Sequence, residues 1–407
     1  MPLPAPPSFE RSERPDSNGP MKDHWRGVAA ASIILGGMVL LAAIFSASLT
    51  EQSAATRDFI GYWAAGQQIV HGANPYSADE VLRLEQAVGL GSLQMKITPS
   101  PPVGLALVIP LGFFGAKAGL VFWMVLQLGC LSLALCAIWH LAGRPASRFH
   151  LLGYLFAPAV ACLMAGQLGI FFLLGLSLFL LWRETRPLLG GAALFPMTMK
   201  PHLFLPIALV LLLWIVIERR PRILAGLFAA MTASLAAVLA FDAHVWAQFV
   251  AMMGAGLMRD RFAPTLSAYL RLDLAPRSVW LEYLPTSLAC AWAIAYFWQR
   301  RMRWDWVKHG MLILLVGVLC APYAWLTDEA VLLPAVLLGV YRARAAGRSL
   351  IPIALVAAIA LVELYANVRI TSWFYLWTTP AWLLWFLYAM GPANKVAPHT
   401  GQLSRAD

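Results

Sequence analysis

Apolar runs of roughly 15–25 residues recur along almost the whole chain, separated by short polar breaks. That pattern fits many spanning helices and leaves too little polar surface for a soluble core. The chain is 60% hydrophobic and only 12% charged, about half the charge of an ordinary soluble domain. The short alternating segments of a β-barrel are absent. The expected fold is therefore an all-α polytopic membrane protein.

The net charge of +10 does not point to nucleic acid, because its distribution is that of a topology signal. Basic clusters fall in the breaks: Arg219, Arg220 and Arg222; Arg300, Arg301, Arg303 and Lys308; Arg342, Arg344 and Arg348. By the positive-inside rule these breaks are cytoplasmic. Threading from a cytoplasmic N-terminus gives about twelve crossings and two long outer loops, residues 50–100 and 242–284. Segments near 223–241, 285–299, 309–325, 330–341, 349–367 and 372–390 are expected to span. Residues 102–115 are short and bounded by proline, and are expected to dip in without crossing. The expected organisation is a disordered cytoplasmic tail over 1–26, a membrane domain over 27–390 and a cytoplasmic tail over 391–407. The run from Val28 to Leu49 is too long for a signal-peptide core and reads as an uncleaved first helix. The five cysteines all lie inside apolar runs and form no disulfide or metal pattern.

Long outer loops in a helical bundle usually carry function. In the first, Phe59 to Val70 and Asp79 to Val88 read as short interfacial helices; the second holds Trp246, Phe249 and a run from Met252 to Met258. Polar residues gather at the same outer face. Asp58 follows Arg57 and precedes Tyr62 and Trp63; it is either a solvated surface charge or a general base. Asn74-Pro75-Tyr76 reads first as a proline turn. Lys200-Pro201-His202 sets an ammonium at a helix start, a favourable place for phosphate, with interfacial snorkelling as the plain alternative. Asp328 and Glu329, in Pro322-Tyr323-Ala324-Trp325-Leu326-Thr327-Asp328-Glu329, are either solvated at a hairpin turn or used there. Gln167 either caps a helix or contacts a sugar. Phosphate-loop, GxSxG, HExxH and dinucleotide fingerprints are missing.

The order Asp58-Phe59-x-x-Tyr62-Trp63, Gly72-x-Asn74-Pro75-Tyr76, Pro101-Pro102, Gly166-Gln167, Lys200-Pro201-His202 and Pro322-Tyr323-Ala324 with Asp328 resembles glycosyltransferase family 87 over about residues 57–340. Three positions depart from the family pattern. Ser100 stands where a tyrosine is usual, Gly169 where an asparagine follows the Gly-Gln turn, and His202 where glutamine is common.

The resemblance implies a GT-C-like bundle of about 10–13 transmembrane helices. It implies an inverting membrane hexosyltransferase that moves a sugar, typically mannose, from a polyprenyl-phosphate donor to an envelope lipid or glycan acceptor. Asp58 would be the general base. Lys200, His202 and Arg57 would hold the donor phosphate, and Tyr62, Trp63, Asn74, Tyr76, Gln167, Tyr323 and Asp328 would line the substrates. No cofactor or metal is implied. The expected setting is the inner membrane of a bacterium, with the active site outside the cytoplasm and no nucleic-acid partner. A membrane transporter without transferase activity, and an acyl- or phosphotransferase acting on an envelope lipid, are the competing readings.

Overall fold

A computed structural model of the chain describes residues 19–91, 96, 99–255, 263–366 and 373–391. Most of both expected tails, part of the Met252 to Met258 run and residues 367–372 lie outside the described residues. The described residues are helical, with no strand among them. They divide into two units, Met1–Ser48 and Leu49–Asp407.

The first unit holds one helix, α1 (Gly19–Ser48), thirty residues long, with Leu35, Val39 and Ile44 exposed. The second unit begins with α2 (Glu51–Ala55), α3 (Phe59–Val70) and α4 (Ala78–Ala87). There follow α5 (Ala116–Leu141), α6 (Ala157–Ala165), α7 (Gly169–Trp182), α8 (Pro187–Ala193), α9 (Pro201–Ile217) and α10 (Pro221–Leu239). The chain continues through α11 (Val245–Gly254), α12 (Leu266–Tyr269), α13 (Trp280–Arg300) and α14 (Met311–Leu319). It ends with α15 (Leu333–Ala345), α16 (Ile351–Tyr365) and α17 (Thr378–Met390).

Proline sets many of these starts. It occupies the first or second position of α6, α8, α9, α10, α15 and α16, where its missing N–H would have had no partner in any case. Of the expected spans that start this way, α10 keeps the expected length, with nineteen residues, and α16 is shorter, with fifteen. Among the described residues, α5 and α10 are long and apolar enough to cross a membrane. The other apolar helices are shorter; α9 has seventeen residues and α16 fifteen, against the roughly 20 that a perpendicular crossing takes. Residues 102–113 form two short 3-10 turns, Pro102–Leu107 and Ile109–Phe113, as the proline boundaries of that segment lead one to expect. They lie between α3 and α10.

The core runs through the second unit as one apolar cluster, with α5 on α7, α8 on α10, α9 on α13 and α14, and α15 on α17. Large apolar side chains also cover much of the outside, including Leu133, Val216, Phe228, Leu355, Val362 and Leu384. Soluble monomers seldom expose apolar surface on this scale.

Two glycines decide how the functional elements meet. Gly166 ends α6 in the left-handed region (φ 72), and a Cβ there would stand 2.6 Å from Phe59 Cβ. Gly169 opens α7, and a Cβ there would overlap the Thr327 carbonyl oxygen. The Gly166–Gly169 turn is therefore wedged between the start of α3 and the turn before Asp328. A side chain larger than glycine's has no room at position 169.

Gly143 is also left-handed (φ 84) but faces open space, so it separates backbone strain from crowding. Gly143→Ala is expected to lower stability by about 1–2 kcal/mol. Gly166→Ala should cost more, because the added methyl also meets Phe59. Thermal unfolding in detergent measures both, and equal losses would contradict the wedge.

Candidate functional site

The site is built on two carboxylates, each oriented by a different set of partners. Asp58 immediately precedes α3. Its Oδ1 accepts from Lys96 Nζ at 3.1 Å, and its Oδ2 accepts from Gln167 Nε2 at 2.9 Å. Gln167 is itself fixed: Tyr62 donates its hydroxyl to Oε1 at 2.8 Å, and Gln127 donates to the Gln167 carbonyl. Trp123 donates to the neighbouring Gly166 carbonyl at 2.8 Å and stacks on Tyr62. Gln167 therefore does not merely cap a helix; its amide aims the Asp58 carboxylate. The Asp58 side chain remains 46% exposed, so an incoming group can reach it.

Lys96 was not foreseen as a site residue. Both oxygens of Glu85, a fully buried residue of α4, accept from the Lys96 backbone N–H at 3.0 and 3.2 Å. This anchors the chain so that the Lys96 ammonium reaches Asp58 and the Thr56 carbonyl. A lone lysine 38 positions from its partner carries no local signal in a polar loop.

The second carboxylate, Asp328, is entirely buried, and its Oδ1 accepts from Lys200 Nζ at 2.7 Å. Its Oδ2 accepts from the Trp325 backbone N–H at 3.1 Å. Lys200 stands just before the first turn of α9. Neither Asp328 nor Glu329, 0% and 5% exposed, is a solvated turn residue, which removes the plain alternative for this pair. His202 packs edge-on against Tyr323, with ring centres 6.0 Å apart, and its Nε2 is buried with no hydrogen-bond partner.

The two halves adjoin. Gly166 touches the start of α3, and Gly169 touches the turn before Asp328. Burial, reinforced by the charges of Asp58 and then Asp328, raises the Tyr62 phenol well above its ordinary value. One hydroxyl thus lies within reach of both fields.

The other residues named from the sequence take supporting positions. Arg57 donates to the carbonyls of Ser53 and Met164 and braces α2 against α6. Trp63 is buried and donates to the Phe114 carbonyl at 2.9 Å. Asn74 Oδ1 accepts from the Tyr76 N–H at 2.9 Å, forming the expected turn. Tyr76 is buried and donates its hydroxyl to the Ser100 carbonyl at 2.7 Å. Among the described residues no group of three or more His, Cys, Asp or Glu side chains is placed to hold a metal ion.

Beside Lys200 opens an apolar cavity of about 590 Å³, bounded by α7, α9 and α10; Pro101, Val103, Pro201, Phe204, Phe228 and Trp246 are among its walls. Pro201 thus borders this cavity, while the flanking Lys200 and His202 side chains are turned to Asp328 and Tyr323.

The family model for glycosyltransferase family 87 matches residues 100–341, and the chain belongs to that family. The protein is accordingly a glycosyltransferase. The matched region holds Gly166-Gln167, Lys200-Pro201-His202 and the Asp328 turn, whereas Asp58 and the first outer segment precede it. Comparisons with curated proteins and with solved structures give no match.

The buried pair yields a direct test. Lys200→Met leaves the Asp328 carboxylate buried without its cation and should cost about 3–5 kcal/mol. Lys200→Met combined with Asp328→Leu should recover most of that loss. Denaturant unfolding of the two variants measures the difference, and a double variant no more stable than the single one would contradict the pairing.

Proposed function

We propose that the protein transfers a hexose from a polyprenyl-phosphate donor to an envelope lipid or glycan, with Asp58 as the general base and inversion at the anomeric carbon. The observation that carries this reading is the Asp58 carboxylate: open to an acceptor, yet held on both oxygens by Lys96 and Gln167. An acceptor hydroxyl has a very high pKa, so a positioned carboxylate must take its proton as the new C–O bond forms. Lys96 and Gln167 fix the direction in which the two carboxylate oxygens face.

The leaving group is the lipid phosphate, which gains negative charge as the glycosidic bond breaks. Lys200 and the unpartnered His202 nitrogen are the groups that would meet it, in the manner of preorganised charge stabilisation. Asp328 holds the ammonium in place. The apolar cavity beginning at Pro201 would take the first part of the polyprenyl chain, at about 0.8 kcal/mol for each buried CH₂. Arg57, committed to two backbone carbonyls, acts here as a brace. Mannose is the typical sugar of this resemblance, and the acceptor remains defined only as a hydroxyl-bearing envelope lipid or glycan.

The same reading makes the protein polytopic in a bacterial inner membrane. The exterior is apolar, α5 and α10 have spanning length, and the basic clusters mark cytoplasmic loops. The transfer site would then face outward, where lipid-linked sugars are used.

Asp58→Asn should lower transfer by about 10²–10⁴-fold while leaving binding of polyprenyl phosphate within about twofold, as read by product formation and direct binding with purified protein. Wild-type transfer in that variant would remove Asp58 as base. Movement of labelled substrate across liposomes with no glycosidic product would favour a transporter instead.

A further inference from the structure

Glu329 is a buried carboxyl that the transfer chemistry does not use. It follows Asp328 directly, but its side chain meets α17, whereas that of Asp328 meets Lys200. Thr378 and Thr379 approach its Oε1 at 2.6 and 2.7 Å, and Trp382 donates to Oε2 at 2.9 Å. No cation pairs with it among the described residues.

Counting hydrogens locates a proton. The Thr378 hydroxyl has one hydrogen, yet its oxygen lies 2.7 Å from the Tyr375 carbonyl and 2.6 Å from Glu329 Oε1. A carbonyl only accepts. If Thr378 donates to Tyr375, its contact with an ionised Glu329 joins two acceptors with no hydrogen between them. If it donates to Glu329, the Tyr375 contact has the same defect. A proton on Glu329 Oε1, donated to Thr378, satisfies both contacts: Thr378 then donates to Tyr375, Thr379 donates to the second lone pair of Oε1, and Trp382 donates to Oε2.

We propose that Glu329 is a positioning residue that holds a proton in the folded protein, locks α17 onto the Asp328 turn through that proton, and spares Asp328 a second negative charge beside it. An ionised Glu329 would set a second buried negative charge beside that of Asp328. Keeping one neutral resolves the conflict. The inference brings α17, which lies beyond the family-matched segment, into the support of the site. Its consequence for the donor phosphate rests on the proposed transfer reaction.

The surrounding charges agree. Burial pushes the Glu329 carboxyl up, the three hydrogen bonds pull it back and the Asp328 charge raises it again, to about 7. The ionisable groups near this end of the bundle include Asp328 on the same turn, Lys200 before α9, Tyr323, Cys162 on α6, Tyr375 before α17 and Glu363 of α16, which accepts from Trp377; among them it is the charge of Asp328 that acts on Glu329. The sign follows from linkage. The native carboxyl holds its proton to higher pH than the unfolded one, so stability falls as pH climbs from about 4.5 through about 7 and then levels off.

The test uses the full-length protein in detergent, as wild type, Glu329→Gln and Glu329→Ala. Glutamine presents an N–H where the acid presents its O–H, so it mimics the neutral form. Expected are a protonated-carboxyl infrared band near pH 6 in wild type that Glu329→Gln removes, and a wild-type melting temperature that falls by a few degrees between about pH 5 and 8. Glu329→Gln should show no such fall, and Glu329→Ala should melt lowest throughout.

Polyprenyl phosphate titrated over the same range should bind wild type more weakly above neutrality, while its affinity for Glu329→Gln changes by less than about twofold. Absence of the Glu329 band together with parallel melting profiles overturns the neutral lock. Equal pH dependence of binding in wild type and Glu329→Gln overturns the positioning role. If polyprenyl phosphate binds neither protein, the donor assignment has failed, and the infrared and melting results still decide the state of Glu329.

Discussion

A carboxylate with no exposed surface must be paired or neutral, and the Asp328 turn depends on that constraint. Lys200 provides the pairing from just before α9, so the ion pair joins two segments 128 positions apart in the chain. Replacing such a pair by apolar groups is often harmless, whereas removing one partner is costly. Under the proposed function, the ammonium held in this way is the group that meets the donor phosphate. Glu329, without a cation, meets the same constraint by staying neutral and bonding α17. One short turn therefore ties α9 and α17 to the site through two carboxyls in different protonation states.

The other half of the site follows opposite rules. Asp58 is open to its surroundings, and its geometry comes from neighbours rather than from burial. Gln167 and Lys96 hold its two oxygens; Tyr62, Gln127 and Trp123 hold the Gly166-Gln167 turn; Glu85 holds Lys96. The open carboxylate suits proton transfer, and the enclosed ammonium suits a leaving phosphate. The Gly166–Gly169 turn lies between them because neither glycine carries a Cβ.

Much of this was legible in the sequence where the chemistry is local. Asp58, Tyr62, Gln167, Lys200 and Asp328 stood out because polar residues beside aromatics at the ends of apolar runs are costly unless used. Residues 102–115, expected from their prolines to dip in without crossing, hold two short 3-10 turns. What the sequence concealed was pairing. Nothing near Lys200 names Asp328, and nothing near Lys96 names either Asp58 or Glu85. Asp328-Glu329 read equally well as a solvated turn, because burial is set by helices far along the chain. Some expected spans were too long: α14 and α17 have nine and thirteen residues where 309–325 and 372–390 were expected.

The account stands or falls on the bond that is made. Purified protein incubated with a polyprenyl-phosphate hexose and extracted envelope lipids should yield a new glycoside, identified by mass spectrometry. Nuclear magnetic resonance should show its anomeric configuration opposite to that of the donor. A product that keeps the donor configuration would contradict a single displacement assisted by Asp58, and donor recovered intact with no glycoside formed would contradict transfer from this class of donor.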